Sequence, residues 1–142
     1  MSRLIALFFV LPVFLCGNLA SAQGEGNKPA GRVIAYYFHG NLRCSTCRTM
    51  EQYSKETIEA NFKQELSSGK LEFKTVNVEE RANEHFARDY QLYTKSLILS
   101  LIKDGKEIRS KNLTKIWEYA SDKKRFFDYV SEEVNNFLKE AL

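Results

Sequence analysis

Two cysteines three residues apart, Cys44 and Cys47 in the run Arg43-Cys44-Ser45-Thr46-Cys47-Arg48, are the residues of this chain best suited to chemistry. Thiols at that spacing can meet across one helical turn, which suits a reversible disulfide. The same pair could instead clip a metal ion or act as an inert staple, and the surroundings decide among the three. A disulfide stabilises most when it closes a long loop. This one would close almost none, which argues against a staple. Structural zinc takes four ligands. Besides the pair, the Cys and His residues beyond the first 22 positions are only His39 and His85, well separated in sequence. Zinc is therefore disfavoured, and the surviving metal alternative is a soft species satisfied by two thiolates, such as Cu(I) or arsenite. No cofactor is expected.

The redox alternative needs a strand, a short turn and a helix opened by the cysteines. Val33-Ile34-Ala35-Tyr36-Tyr37-Phe38 is a continuous apolar run that suits a buried strand. His39-Gly40-Asn41 breaks it. The spacing of Met50, Tyr53, Thr57, Ile58, Phe62 and Leu66 predicts a helix over 45–66, stopped by Ser67-Ser68-Gly69. A second strand is expected over 71–78, a short helix over 83–90 and a third apolar strand over 97–102. Lys103-Asp104-Gly105-Lys106 reads as a hairpin turn, with a polar return strand over 107–111. Ser121 can cap a last helix whose apolar face is Phe126, Phe127, Val130, Val134, Phe137 and Leu138. The order is β-α-β-α-β-β-α. The first two strands, joined by a helix, should be parallel, and the last two antiparallel. At helical spacing the aromatics Tyr90, Trp117, Phe126, Phe127 and Phe137 are expected in the core rather than around a ligand. His85 is expected at or near the surface, and Arg81, Arg88 and Arg125 on solvated faces.

The first 22 residues read as a leader rather than as part of the domain. Arg3 gives a positive start, 4–15 is an apolar run interrupted by Pro12, and Ala20-Ser21-Ala22 is a small-x-small cleavage site before Gln23. The run is short for a helix that must cross about 30 Å of hydrocarbon, so cleavage is favoured over a retained anchor. Leu15 before Cys16 does not suit lipidation. Residues 23–31 are polar and Gly-rich and read as a linker. Cleavage leaves 120 of the 142 residues, enough for one core, and removes Cys16, so the Cys44–Cys47 pair would be the only thiols left. It also removes one of the 21 Lys and Arg, leaving a net charge of +2 against 18 Asp and Glu. The charges are interspersed, with no basic stripe of the kind that tracks phosphates, so nucleic acid is not an expected partner. Asn112-Leu113-Thr114 matches a glycosylation sequon by pattern alone.

The element order, with CxxC opening the first helix, resembles the thioredoxin fold over 32–142. Three further segments carry the resemblance. Phe73-Lys74-Thr75-Val76-Asn77-Val78 sits like the family's VAKLNID strand, Asp89-Tyr90-Gln91-Leu92 like its KYGI segment, and Lys103-Asp104-Gly105-Lys106 like its KNGE hairpin. The resemblance implies an α/β domain with a central mixed sheet and helices on both faces. Tyr37-Phe38-His39-Gly40, the cysteine run, Asn77-Val78 and Ile116-Trp117 are also similar to a small bacterial thioredoxin-like group associated with arsenic-resistance or nitroreductase gene clusters. Three features depart from the family. Arg43 replaces the Trp before the first Cys, and Ser45-Thr46 replaces Gly-Pro. The proline that the family places in cis opposite the CxxC is missing, the only prolines being Pro12 and Pro29. Counting forward from Tyr90 puts Ser96 at that position; counting back from Gly105 puts Leu97 there. Ser96 is preferred, and because a non-proline cis bond costs about 2.5–4 kcal/mol, none is expected.

The chemistry implied is thiol–disulfide exchange. Near a helix N-terminus, backbone N–H groups favour the Cys44 thiolate, and Arg43 and Arg48 add positive charge. Cys44 would attack a substrate disulfide, and Cys47, one turn inside, would resolve the mixed disulfide. The family's buried carboxylate six residues before the first Cys corresponds to Phe38, so no acid stands there. His39, with an ordinary pKa near 6.5, could move protons, or it could be only a polar strand end. The leading expectation is an exported thiol–disulfide oxidoreductase, periplasmic or extracellular in a bacterium. Its substrates would be protein or small-molecule disulfides or dithiols, and a membrane protein would be a possible redox partner. The alternative is a binding module that holds a soft metal ion or metalloid, or docks a partner protein.

Overall fold

The computed structural model describes residues 31–142. The expected leader, Cys16 and the linker up to residue 30 lie outside the described residues. The apolar run becomes β1 (Gly31–His39), at the centre of a four-stranded sheet. It runs parallel to β2 (Leu71–Asn77), with Val33 opposite Leu71. It runs antiparallel to β3 (Ser96–Lys103), with Tyr37 opposite Leu97. β4 (Lys106–Asn112) returns beside β3, giving the order β2-β1-β3-β4. Asp104 and Gly105 both take positive φ, +50° and +76°, in the two-residue turn between them. That is the conformation an Asp-Gly hairpin signals. β4 carries one extra residue, Ile108, between the partners of Ile102 and Leu101.

Alternation along β1 sorts its side chains between two cores. Val33, Ala35 and Tyr37 join Leu97, Leu99 and Leu101 of β3 against α1 (Ser45–Asn61) and α4 (Lys123–Glu140). Met50 and Ile58 of α1 and Phe126, Val130, Val134 and Phe137 of α4 fill that layer, all fully buried. On the other face Tyr36 and Phe38 meet Phe86 and Tyr90, from and just after α3 (Glu84–Asp89), with ring centroids 5.2–6.3 Å apart. The expected mixed sheet with helices on both faces is therefore present. Among the described residues no helix is long and apolar enough to cross a membrane.

Several expectations change. The helix over 45–66 breaks at Phe62 (φ −129°, ψ 39°), and a short α2 (Lys63–Ser67) follows. The backbone bonds survive the break: Phe62 N–H donates to Ile58 at 3.1 Å and Leu66 N–H to Phe62 at 2.9 Å. Phe62 is buried by the turn and α2 is swung onto β2, so Leu66 still reaches the core. The cap of α4 is Asp122, not Ser121: its side chain accepts the Arg125 N–H at 3.1 Å. Both residue types can cap, and only the extended backbone of Asp122 selects between them. Gly31, expected in the linker, opens β1; a Cβ there would lie 2.3 Å from the Ala141 carbonyl oxygen. Trp117, expected in the core, is 40% exposed, and its indole N–H donates to the Lys95 carbonyl at 3.0 Å. Leu113 and Ile116 around a 3-10 turn fill the core position instead. Gln91, at the Gly of the KYGI-like segment, has φ +50°, the left-handed region where glycine is easiest.

Phe126 joins the layers below the cysteine helix, edge-on to Tyr53 of α1 at 5.5 Å. Phe126→Ala is expected to destabilise the protein by about 3–5 kcal/mol in urea unfolding, because the cavity lies between packed helices that cannot collapse together.

Candidate functional site

The cysteines form the start of α1. Cys44 is its N-cap, extended at φ −70° and ψ 166°. Its Sγ takes the place of a capping oxygen and accepts the Cys47 N–H at 3.1 Å. The two residues are joined as a disulfide with Cα atoms 5.1 Å apart, within the ordinary range for such a bond. Cys44 is exposed and Cys47 is 4% exposed, so one sulfur faces solvent and the other the interior.

The loop that delivers Cys44 is held at its base. Glu79, just past β2, accepts the Asn41 N–H at 3.0 Å, and Asn77 donates to the Asn41 side chain at 2.8 Å. Gly40 makes this approach possible, since a Cβ there would stand 2.1 Å from the Glu79 carboxylate.

The expected supporting residues are distributed unevenly. Arg43 is half-buried and ion-paired with Glu51, one helical turn beyond Cys47, so its charge is largely answered. Arg48 is exposed and has no ion-pair partner among the described residues. Ser96 opens β3 opposite Phe38, at the same end of the sheet as the cysteines. It is 4% exposed, and its hydroxyl donates to the Thr94 carbonyl at 3.0 Å. Every described peptide bond is trans. Leu97 lies inside β3 with its side chain in the core. His39 is half-buried with Nδ1 3.0 Å from the Gly40 carbonyl. That oxygen can only accept, which assigns the neutral ring's proton to Nδ1. The ring lines a cavity of about 140 Å³ with Glu79 and Tyr93. Among the described residues no hydrogen bond joins it to either cysteine. His85 is exposed, as are Arg81, Arg88 and Arg125. No group of three or more His, Cys, Asp or Glu side chains among the described residues is arranged to hold a metal ion.

Tyr37 is the residue of the site whose role no motif indicates. Counting six back from Cys44 lands on Phe38, which faces α3. Tyr37 faces α1, and its hydroxyl donates to the Cys47 carbonyl at 2.6 Å. The signal available for it was the alternation of β1, in which Tyr37 shares a face with Val33 and Ala35. Burial pushes the Tyr37 hydroxyl up to about 12, against a smaller opposing pull from Arg43.

A sheet ordered β2-β1-β3-β4, with β1 and β2 parallel and the rest antiparallel, thus carries helices on both faces and CxxC at the N-cap of the first helix. This is the arrangement that the resemblance to the thioredoxin fold implied. No protein-family model matches the chain, and no curated protein matches it by sequence. Solved structures do. A thioredoxin from Fasciola hepatica is 30% identical over 67% of this chain and 84% of its own, with a TM-score of 0.39. Trxlp from Edwardsiella tarda is 16% identical over 72% and 85%, with a TM-score of 0.45. Mitochondrial thioredoxin 3 from Saccharomyces cerevisiae, in its oxidised form, is 15% identical over 70% and 77%, with a TM-score of 0.41.

Tyr37→Phe leaves the Cys47 carbonyl without this donor and is expected to cost about 1 kcal/mol at neutral pH. Because folding raises the hydroxyl's pKa, its contribution is complete below about 10 and lost as the pH climbs toward 12. The stability gap between the wild type and Tyr37→Phe should therefore close or reverse across that window. Urea unfolding at stepped pH, with phenolate absorbance followed alongside, measures it.

Proposed function

We propose that this protein is a thiol–disulfide oxidoreductase working through Cys44 and Cys47. The observation that carries the reading is the asymmetry of the pair: an exposed sulfur capping α1 and a buried one a single turn inside. In the reducing direction the Cys44 thiolate attacks one sulfur of a substrate disulfide. The substrate S–S bond breaks, one thiolate leaves, and a Cys44–substrate disulfide forms. Cys47 then attacks the Cys44 sulfur, the second substrate thiolate leaves, and the protein holds the Cys44–Cys47 disulfide. Two electrons pass to the substrate, and an external dithiol must return them. Run backwards, the same steps oxidise a substrate dithiol.

The free N–H groups at the start of α1 favour the attacking thiolate, and Arg48 adds an uncompensated positive charge. Ser96 supports the reading as the residue at the entrance of β3, where an extended substrate would pass. His39 ends β1 just before the loop that delivers Cys44, although its hydrogen bond turns it toward Gly40. The leader read over 1–22 supports export, with a membrane dithiol carrier as the electron partner. The resemblance to the bacterial group associated with arsenic resistance rests on sequence motifs alone, and soft-metal capture by the same two thiols is the competing outcome.

Cys44→Ser is expected to abolish dithiothreitol-driven reduction of insulin disulfides. Cys47→Ser should accumulate a substrate-linked species that is visible on a non-reducing gel and released by reductant. Activity retained in the first variant, or no trapped species in the second, would sink the proposal; tight Cu(I) binding with no catalysis would put the metal reading in its place. Glu51→Gln removes the carboxylate that answers Arg43. It should lower the pH at which reduced Cys44 ionises by about 0.5–1, read from thiolate absorbance.

A further inference from the structure

The face of α1 that starts at the cysteine pair continues as a groove. Arg48, Glu51, Gln52 and Lys55 follow one another at helical spacing, and Arg43 reaches in from the preceding loop. Together they line an open depression of about 540 Å³. Three cations therefore share it with one carboxylate, and that carboxylate is already spent. Glu51 is held by Arg43. The Gln52 amide is held by Glu56 at 2.7 Å. Lys55 has only a 3.8 Å contact with Glu59, with both side chains more than half exposed. An exposed pair of that kind contributes little and yields readily to a competing anion. Arg48 has no carboxylate partner among the described residues.

Two loosely held cations thus stand on one face of α1: Arg48, with no ion-pair partner among the described residues, and Lys55, with only the exposed contact to Glu59. They are two turns apart, or about 10 Å along the axis. An extended chain covers that span in about three residues. The first cation directly follows the buried cysteine in sequence, and its N–H bonds the Cys44 carbonyl at 3.1 Å.

We propose that this groove selects protein disulfides flanked by acidic residues, seating the carboxylates of an extended substrate segment on Arg48 and Lys55 while its disulfide meets Cys44. The inference rests on the oxidoreductase reading and names its substrate class. A guanidinium pairs well with a carboxylate. Charge of this kind acts mainly on the rate of encounter, so it falls with ionic strength.

The test uses two peptide disulfides that differ only in whether Asp or Lys residues flank the cysteine, with a neutral small-molecule disulfide as a third substrate. The readout is the ratio of kcat/KM for the acidic over the basic peptide. It is taken within each protein, so that any change in Cys44 reactivity cancels. The wild type should prefer the acidic peptide by roughly tenfold at low salt. The preference should collapse toward unity in about 0.5 M sodium chloride. Arg48→Glu and Lys55→Glu should each reduce the ratio, and the double variant should invert it. A wild-type ratio near one, or a preference that survives both the double variant and high salt, overturns the proposal. Failure of the wild type to turn over even the neutral disulfide overturns the oxidoreductase reading itself, and this inference with it.

Discussion

The burial of β1 on both faces is the constraint from which the rest of this structure follows. One strand has to satisfy two cores, and its strict alternation assigns Val33, Ala35 and Tyr37 to one and Ile34, Tyr36 and Phe38 to the other. With ladder partners on both sides, β1 cannot slip by one residue without exchanging every side chain between the two layers. That fixed register holds the end of β1, and the loop leaving it, in one place. α1 then begins where β1 stops, and Cys44 is presented at the rim of the sheet.

The hydrogen bond from Tyr37 to the Cys47 carbonyl makes this position exact in depth as well as direction. Tyr37 sits in the same face as the hydrophobic core, yet carries a polar tip to the first turn of α1. The first turn is therefore fastened twice, from below by a buried phenol and from within by the Cys44 sulfur on the Cys47 N–H. The Glu79–Asn41 contact holds the incoming loop from a third side. Tyr37 brings to the buried cysteine's carbonyl a phenol whose proton is held more tightly than usual. It can position the helix, but near neutral pH it keeps its proton.

Electrostatics at the site follow from which charges have partners. Arg43 and Arg48 flank the cysteines symmetrically in sequence, and from the sequence both should act alike on Cys44. Folding separates them. α1 carries Glu51 round to Arg43 and leaves Arg48 in solvent. The positive field of the site is thus displaced along α1, away from the loop and toward Lys55. A pair of equal residues became one structural and one available.

The sequence by itself determined the α/β class, the element order, the Asp-Gly hairpin and the placement of CxxC at a helix start, because these depend on local period and turn chemistry. It also separated the exposed from the buried cysteine, since one turn of helix decides that. Tertiary structure alone decided the break at Phe62, the cap at Asp122, the exposure of Trp117 and the partner of Arg43. Each is a choice between residues of equal local merit, settled by what packs against them. Tyr37 is the sharpest case. Counting from Cys44 pointed to Phe38, because a count assumes the length of the loop between strand and helix. The side chain that reaches the buried cysteine is instead fixed by the pleat of β1 against two cores, and that is a property of the assembled sheet.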